Sequence, residues 1–332
     1  MIKRPVARIL SVRSYLPERI LTNKDLEKLV DTSDEWIVSR TGMHERRIAE
    51  SNECPSDMGA IAALRAIEAA SVSVQDIDLI LVATMSPDHL SPSTACFIQA
   101  KIGADRAAAM DIQAACTGFL YGLSIAKAYI ESGLYRNVLL VAAEKMSAFI
   151  DYADRTTCVL FGDGAAAAVI SHEGAGFKID NVTLGADGTL ADLVIIPAGG
   201  SRQPATLETV AQGQHYFKMV GNEVFKHAVR RMTSAARACL QAVGLEDSQL
   251  SWLVPHQANK RIIDAMAKQF NIPEEKVYKT VHKYGNTSAS SVAIALDELL
   301  QEHQFIDGEY LLLTAFGGGL TWGASVLSKV SV

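Results

Sequence analysis

Three residues in this sequence can carry acyl-transfer chemistry: Cys116, His256 and Asn286. Cys116 lies in Met110-Asp-Ile-Gln-Ala-Ala-Cys-Thr-Gly-Phe-Leu-Tyr-Gly-Leu123, a pattern that puts it at the opening of a helix directly behind a buried strand. A helix N-terminus presents unpaired N–H groups and partial positive charge, which favours thiolate over thiol. A thiolate there attacks a thioester and keeps its acyl group, and Gly118 lets a ligand come close to the backbone. Cys96, Cys158 and Cys239 read instead as small core hydrophobes. His256, in Val254-Pro-His-Gln-Ala-Asn259, follows a short apolar strand, where catalytic loops of α/β proteins gather. Alone it would read as a packed core histidine; Pro255, Asn259 and the distant Gly285-Asn-Thr-Ser288 run favour a site. Asn286 has no titratable proton and is no base. Its amide N–H can hold an oxyanion, or its side chain can cap a helix from Thr287. A fourth segment, Phe316-Gly-Gly-Gly-Leu-Thr-Trp-Gly323, lacks the lysine of a phosphate loop. Its glycines let a backbone N–H point at a tetrahedral oxygen beside Cys116. Gly162-Asp-Gly164 reads as a structural turn.

The positioning elements are legible around these residues. Leu79–Ala83, Val138–Ala142, Trp252–Val254 and Tyr310–Ala315 are short runs without polar alternation, as in strands covered on both faces. Ala-rich segments at Met58–Ala70 and Val224–Val243 have helical character. The chain also repeats itself. Val82 aligns with Val254 at an offset of 172 residues, Cys116 with Asn286 at 170, and Val138–Ala142 with Leu311–Ala315 at 173. Three pairs in one order at a nearly constant offset imply duplication. Two like halves meeting at a pseudo-twofold would bring the Cys116 and Asn286 helix starts, Thr117–Ala126 and Thr287–Leu296, together.

Composition narrows the class. The 332 residues are 49% hydrophobic and 20% charged, which excludes a disordered or fibrous chain. A net charge of −6 argues against nucleic acid as a partner. Five cysteines without metal-ligand spacing fit a reducing cytoplasm, so no metal is expected. No signal-peptide pattern follows Met1, and no run approaches the ~20 apolar residues of a membrane span.

Together these motifs resemble the β-ketoacyl-[acyl-carrier-protein] synthase III family of thiolase-like condensing enzymes. The likeness runs end to end: Val30-Asp-Thr-Ser-Asp-Glu-Trp-Ile37, Arg40-Thr-Gly42, Ala114-Ala-Cys-Thr-Gly118, Phe161-Gly-Asp-Gly164, Gly221-Asn-Glu-Val-Phe225, His256-Gln-Ala-Asn259, Gly285-Asn-Thr-Ser288 and Phe316-Gly-Gly-Gly319. The resemblance implies a five-layer αβαβα fold of two duplicated halves, 1–172 with the cysteine and 173–332 with the histidine and asparagine, assembled as a homodimer. It implies a decarboxylative Claisen condensation that starts fatty-acid synthesis. Cys116 takes an acyl primer, acetyl being the expected one, from coenzyme A, which is a substrate rather than a resident cofactor. His256 and Asn286 then hold the enolate of malonyl-[acyl-carrier protein]. The N–H groups of Cys116 and Gly318 hold the acyl-cysteine oxygen. A Cys, His, Asn set supplies no extra base, which suits a malonyl nucleophile because loss of CO2 provides the carbanion.

By the same resemblance Trp36 stacks on adenine with Arg155 on the opposite face, Arg40 meets a phosphate, and Asn222 and Asn259 bond the pantetheine arm; Thr32 is a weaker candidate. An acidic carrier protein calls for a local basic patch, and Lys226, Arg230, Lys260 and Arg261 are its candidates. Ser91, before Pro92, replaces the bulkier gate residue of acetyl-primed relatives, a residue that reaches into the partner subunit's acyl tunnel. Primer choice stays open on that ground. Rival readings are a specialised homologue loading or transferring another acyl group in secondary metabolism, and a catalytically silent acyl-binding subunit.

Overall fold

The structure, a computed structural model, describes residues 5–331. Each half of the chain builds one sheet. The first has strands Ala108–Ile112, Leu79–Ala83, Asn137–Glu144, Gly164–Ser171 and Arg8–Tyr15 in spatial order, and the second has Leu250–Pro255, Tyr310–Gly317, Thr321–Val330 and Gly176–Ala186. The sheets join where Arg8 and Ile9 pair with Lys178 and Phe177. The apolar runs read from sequence are all strands, and Leu79–Ala83 is buried along its whole length.

Three helical layers alternate with the sheets. Helix Pro55–Ala70 covers the outer face of the first sheet and helix Gly221–Val243 that of the second. Between the sheets lie helices Gly118–Glu131 and Ser291–Glu302, each touching strands of both halves. This is the expected five-layer arrangement. A Cβ on Gly118 would stand 2.9 Å from the Ala83 Cβ, so the absent side chain seats the central helix deep against its strand.

Duplication is visible in the pairing. Leu79–Ala83 runs parallel to Asn137–Glu144, which runs antiparallel to Gly164–Ser171. Leu250–Pro255 runs parallel to Tyr310–Gly317, which runs antiparallel to Thr321–Val330. Even the fifth strand has a remnant, the parallel bridge between Leu253 and Val277.

The structure corrects two details. Cys116 and Asn286 are not equivalent. A 3-10 turn precedes each central helix, Ala115–Thr117 and Ser288–Ser290, so the regular helices begin at Gly118 and Ser291. Those turns correspond at the offset of 173 residues that the strands follow, which sets Cys116 against Ala289 and leaves Asn286 three residues earlier. Ala115 and Ser288, matched by this register, both have left-handed backbone, φ 46° and 52°. Such φ values cost a non-glycine residue about 1–3 kcal/mol, and one identical strain in each half marks a common device. Secondly, the strand before Cys116 is not buried. Among the described residues Ala108–Ile112 is the sheet edge, paired on one side only with Leu79–Ala83 and partly exposed.

Candidate active site

The two 3-10 turns meet at the middle of the molecule, and the chemistry gathers there. Cys116, His256, Asn286, Gly317 and Gly318 line one inner cavity of about 470 Å³, walled by apolar side chains such as Phe161, Phe217 and Met232. The three polar residues singled out by sequence therefore share one space, together with the tri-glycine turn.

Asn286 is fixed by the segment Leu160–Gly162. Its N–H donates to the Leu160 carbonyl at 2.9 Å, and its own carbonyl accepts from Gly162 N–H at 3.1 Å. A Cβ on Gly162 would lie 2.3 Å from the Tyr284 carbonyl oxygen, so only glycine permits this contact. Asp163 holds the turn by accepting from the N–H groups of Ala49 and Ser147. The Phe161-Gly-Asp-Gly164 turn is structural, as expected, and what it holds is Asn286. Within the Asn286 side chain, Oδ1 accepts from Ser288 N–H at 2.9 Å. Oδ1 thus takes the turn-capping role and Nδ2 remains a donor for the cavity. The two readings of Asn286 coexist on one amide.

His256 follows strand Leu250–Pro255 and is 3% exposed. Its Nδ1 lies 2.5 Å from Ser291 Oγ. That oxygen already accepts from Gln257 N–H at 3.3 Å, so the hydroxyl proton is assigned to Nδ1 and the ring proton to Nε2. Burial lowers the pKa of His256 to about 3. The imidazole is neutral near pH 7 and a poor base, but its Nε2–H is a donor. Gln257 braces the loop, donating to the Pro255 carbonyl and accepting from the N–H groups of Thr280 and Val281.

Cys116 departs from expectation in charge. Protein surrounds the sulfur except where the inner cavity touches it, and burial, with a smaller contribution from Glu144, pushes the thiol up to about 12. A rise of about three units is worth roughly 4 kcal/mol, whereas a helix terminus supplies about 0.3–2 kcal/mol. Burial wins, and the resting group is a thiol. Its backbone explains the glycines downstream: a Cβ on Gly317 would lie 2.7 Å from Cys116 N. The next residue, Gly318, presents its backbone to the same cavity.

A second, open pocket of about 1690 Å³ lies outside the first, lined by Trp36, Arg40, Asn222, Asn259, Lys226 and Arg261 among others. Asn286, Phe161, Met219 and Val224 line both spaces. Arg155 stands over the Trp36 ring, its Cζ 5.1 Å from the centroid, and donates to the Asp31 carbonyl at 2.7 Å. That separation leaves no room for a base between them, since two stacking intervals need about 7 Å; Arg155 must swing outward before it can cover an adenine. Asn259 caps helix Lys260–Gln269 through Oδ1 and donates Nδ2–H to the Arg40 carbonyl at 3.1 Å, so one N–H remains for a ligand. Thr32 does not line the pocket.

The docking candidates divide. Lys226 is paired with Glu223 at 2.8 Å and Lys260 with Asp264 at 2.6 Å, so each of these two candidates has a neighbouring carboxylate. Among the described residues no carboxylate pairs with Arg230 or Arg261. Arg261 rests on the Phe225 ring, its Cζ 5.4 Å from the centroid. Ser91 lies on an exposed loop and lines neither pocket of its own chain.

Two residues were missed. Ser288 Oγ lies 3.6 Å from the Cys116 sulfur and donates to Glu144 Oε1 at 3.0 Å. Glu144 is wholly buried. The signal for it was an acid closing the apolar run Val138–Ala143.

Fold and site define a thiolase-like condensing enzyme, in which a cysteine lines one cavity with a histidine and an asparagine at the junction of duplicated halves. Residues 110–188 match the family model for 3-oxoacyl-[acyl-carrier-protein] synthase III, and residues 240–329 match the model for its C-terminal part. The chain is 60% identical over 325 residues to the β-ketoacyl-[acyl-carrier-protein] synthase III of Chlamydia caviae, covering 98% of this chain and 97% of that protein. The enzyme of the same name from Caldanaerobacter subterraneus is 52% identical, covering 98% and 99%. Among solved structures, 3-oxoacyl-[acyl-carrier-protein] synthase III from Aquifex aeolicus superposes with a TM-score of 0.89 at 45% identity, covering 97% of this chain and 99% of that one. The chain belongs to the β-ketoacyl-[acyl-carrier-protein] synthase III family.

Proposed function

We propose that the protein condenses an acyl-coenzyme A primer with malonyl-[acyl-carrier protein], releasing coenzyme A and CO2 and giving the 3-oxoacyl-[acyl-carrier protein] that starts fatty-acid synthesis. One observation carries this reading: Asn286 lines the inner cavity with Cys116 and His256 and also the outer pocket with Trp36, Arg40, Asn222 and Asn259. A thioester whose nucleotide end rests outside can pass its arm beside Asn286 to the sulfur. Coenzyme A is then a substrate, and the reaction needs no resident cofactor.

In the first half-reaction Cys116 adds to the primer carbonyl, the N–H groups of Cys116 and Gly318 hold the tetrahedral oxygen, and coenzyme A leaves. In the second, the malonyl thioester loses CO2, and the bonding electrons remain as an enolate whose oxygen is held by His256 Nε2–H and Asn286 Nδ2–H. The enolate carbon attacks the acyl-cysteine and the sulfur is released. A histidine with pKa about 3 abstracts protons poorly. That weakness favours a nucleophile made by decarboxylation over one made by deprotonating an acetyl group.

The unpaired edge strand Ala108–Ile112 supports a homodimer in which a second copy extends the sheet. Asp111 on that strand accepts from the N–H groups of Thr94 and Ala95, tying the Ser91 loop to the same edge. Ser91 would then face the partner's acyl tunnel and bear on primer size. Five free cysteines support a cytoplasmic location, and no helix among the described residues is long and apolar enough to cross a membrane.

Incubating the protein with a panel of acyl-coenzyme A primers and weighing it intact tests the first half-reaction. An acyl adduct on Cys116, and CO2 release with a 3-oxoacyl product once malonyl-[acyl-carrier protein] is added, are expected. An adduct without CO2 would indicate simple acyl transfer instead.

A further inference from the structure

Glu144 is a buried carboxyl group that the mechanism above leaves unused. It ends strand Asn137–Glu144, is wholly inaccessible, and has no cationic partner among the described residues. Donors ring it instead. Ser86 Oγ lies at 2.5 Å, Ser288 Oγ at 3.0 Å, Thr84 Oγ1 and the N–H groups of Met85 and Ser86 at 3.1 Å, and the Ala289 N–H at 3.4 Å. A carboxylate accepts all of these, whereas a neutral acid would set its own proton against a ring of donors. Burial raises its pKa against that ring, so the group is a stronger proton acceptor than an exposed glutamate.

One of those donors reaches the nucleophile. The Cys116 thiol donates to Ser288 Oγ at 3.6 Å, and Ser288 donates onward to Glu144 at 3.0 Å. Both hydrogen bonds point the same way, from sulfur to carboxylate. Ser288, whose φ is 52°, holds its hydroxyl between the two.

We propose that Glu144 is the proton acceptor for Cys116, acting through the Ser288 hydroxyl. As sulfur bonds to the primer carbonyl, the S–H proton passes to Ser288 Oγ and the Ser288 proton passes to Glu144, which becomes a neutral acid. The departing coenzyme A thiolate takes a proton from solvent. When condensation frees the Cys116 thiolate, the two transfers reverse and Glu144 is again a carboxylate. Glu144 acts on the sulfur only through Ser288, and it is a positioning and proton-accepting group rather than a residue in contact with substrate. This role rests on the acyl-transfer reading above.

Glu144→Gln and Ser288→Ala test it, the second variant being the safer fold. Alanine already occupies the matching left-handed position in the first half, at Ala115, and Ser288→Ala keeps the backbone N–H that orients Asn286. Two rates are read separately: acylation by acyl-coenzyme A, as a single turnover, and decarboxylation of malonyl-[acyl-carrier protein] without primer. Both variants should acylate at least about 100-fold more slowly, the usual range for lost proton transfer. Decarboxylation, which uses His256 and Asn286, should change less than about threefold. Wild-type acylation rates in both variants, or equal losses in the two half-reactions, would overturn the relay. A wild-type protein that forms no acyl-enzyme would instead remove the acyl-transfer reading beneath it.

Discussion

Glu144 and Gly317 are the matching last residues of duplicated strands, Asn137–Glu144 and Tyr310–Gly317. In one half the glutamate fills the space before the Ser288–Ser290 turn and takes the Ala289 N–H. In the other half the glycine leaves the equivalent space before the Ala115–Thr117 turn open, and the Cys116 N–H faces it. A filled nest and an open one occupy equivalent places in the two halves; in the proposed mechanism the open one is where the substrate oxygen would be held.

A methyl group at position 317 should therefore close the hole. The Gly317→Ala Cβ would lie 2.7 Å from Cys116 N, closer than atoms tolerate. We expect acyl-enzyme formation to fall at least about 100-fold, the scale of losing one oxyanion donor. Intact-protein mass spectrometry at fixed times measures it; undiminished adduct formation would contradict the assignment.

Asn286 offers a cleaner separation of the two half-reactions. Asn286→Asp keeps the shape and the acceptor that Ser288 N–H uses, but replaces the Nδ2 donor with an oxygen. Decarboxylation should fall about 100- to 1,000-fold, with Cys116 acylation far less affected. Radiolabelled CO2 release against acyl-adduct mass would read both, and parallel losses would speak against an enolate role.

Why some of this was legible in sequence and some was not has a physical basis. Strands such as Leu79–Ala83 declare themselves because both faces are covered, so no polar residue interrupts them. Cys116, His256 and Asn286 were legible because a reactive or polar residue in a short segment between apolar elements needs a reason, and Gly118 and Gly285 stand beside two of them. The Cys116–Asn286 equivalence misled by three residues because a strained 3-10 turn, set by tertiary contacts, delays each helix. Glu144 and Ser288 escaped notice because their partnership spans the two halves. The pairing of Lys226 with Glu223 and of Lys260 with Asp264, by contrast, was present at helical spacing in the sequence.

His256 should leave a mark on acid stability. Its pKa is near 6.5 in the unfolded chain and about 3 in the fold, so below pH 6.5 the unfolded state binds a proton that the folded state refuses. Stability is therefore lost as pH falls from 6.5 toward 3, by about 1.4 kcal/mol per unit, and is unaffected by this group above 6.5. Between pH 7 and 5 the wild type should lose about 2 kcal/mol more than His256→Gln, as measured by urea unfolding. Identical losses would mean that the imidazole is not held neutral.

The resting thiol makes a kinetic prediction. With Cys116 pushed up to about 12, alkylation by iodoacetamide of the Glu144→Gln variant, in which the relay is cut, should rise with pH, about tenfold per unit, and show no plateau through pH 9. A plateau near neutrality would mean that the helix terminus outweighs burial after all.

We predict that carrier-protein docking uses the two candidate arginines that have no carboxylate partner among the described residues. Arg261 stands at the rim of the outer pocket, packed on Phe225, and Arg230 lies on the exposed face of helix Gly221–Val243. Lys226 and Lys260 already spend their charge on neighbouring carboxylates, so their reversal should matter less. Arg230→Glu is the sharper probe because Arg230 does not line the outer pocket proposed for coenzyme A. Its KM for malonyl-[acyl-carrier protein] should rise about tenfold, the scale of a reversed charge at an interface rim, and the difference should shrink as salt screens it. Acylation by acyl-coenzyme A should stay at the wild-type rate. An equal rise in KM for both substrates, or one insensitive to salt, would place the carrier on another face.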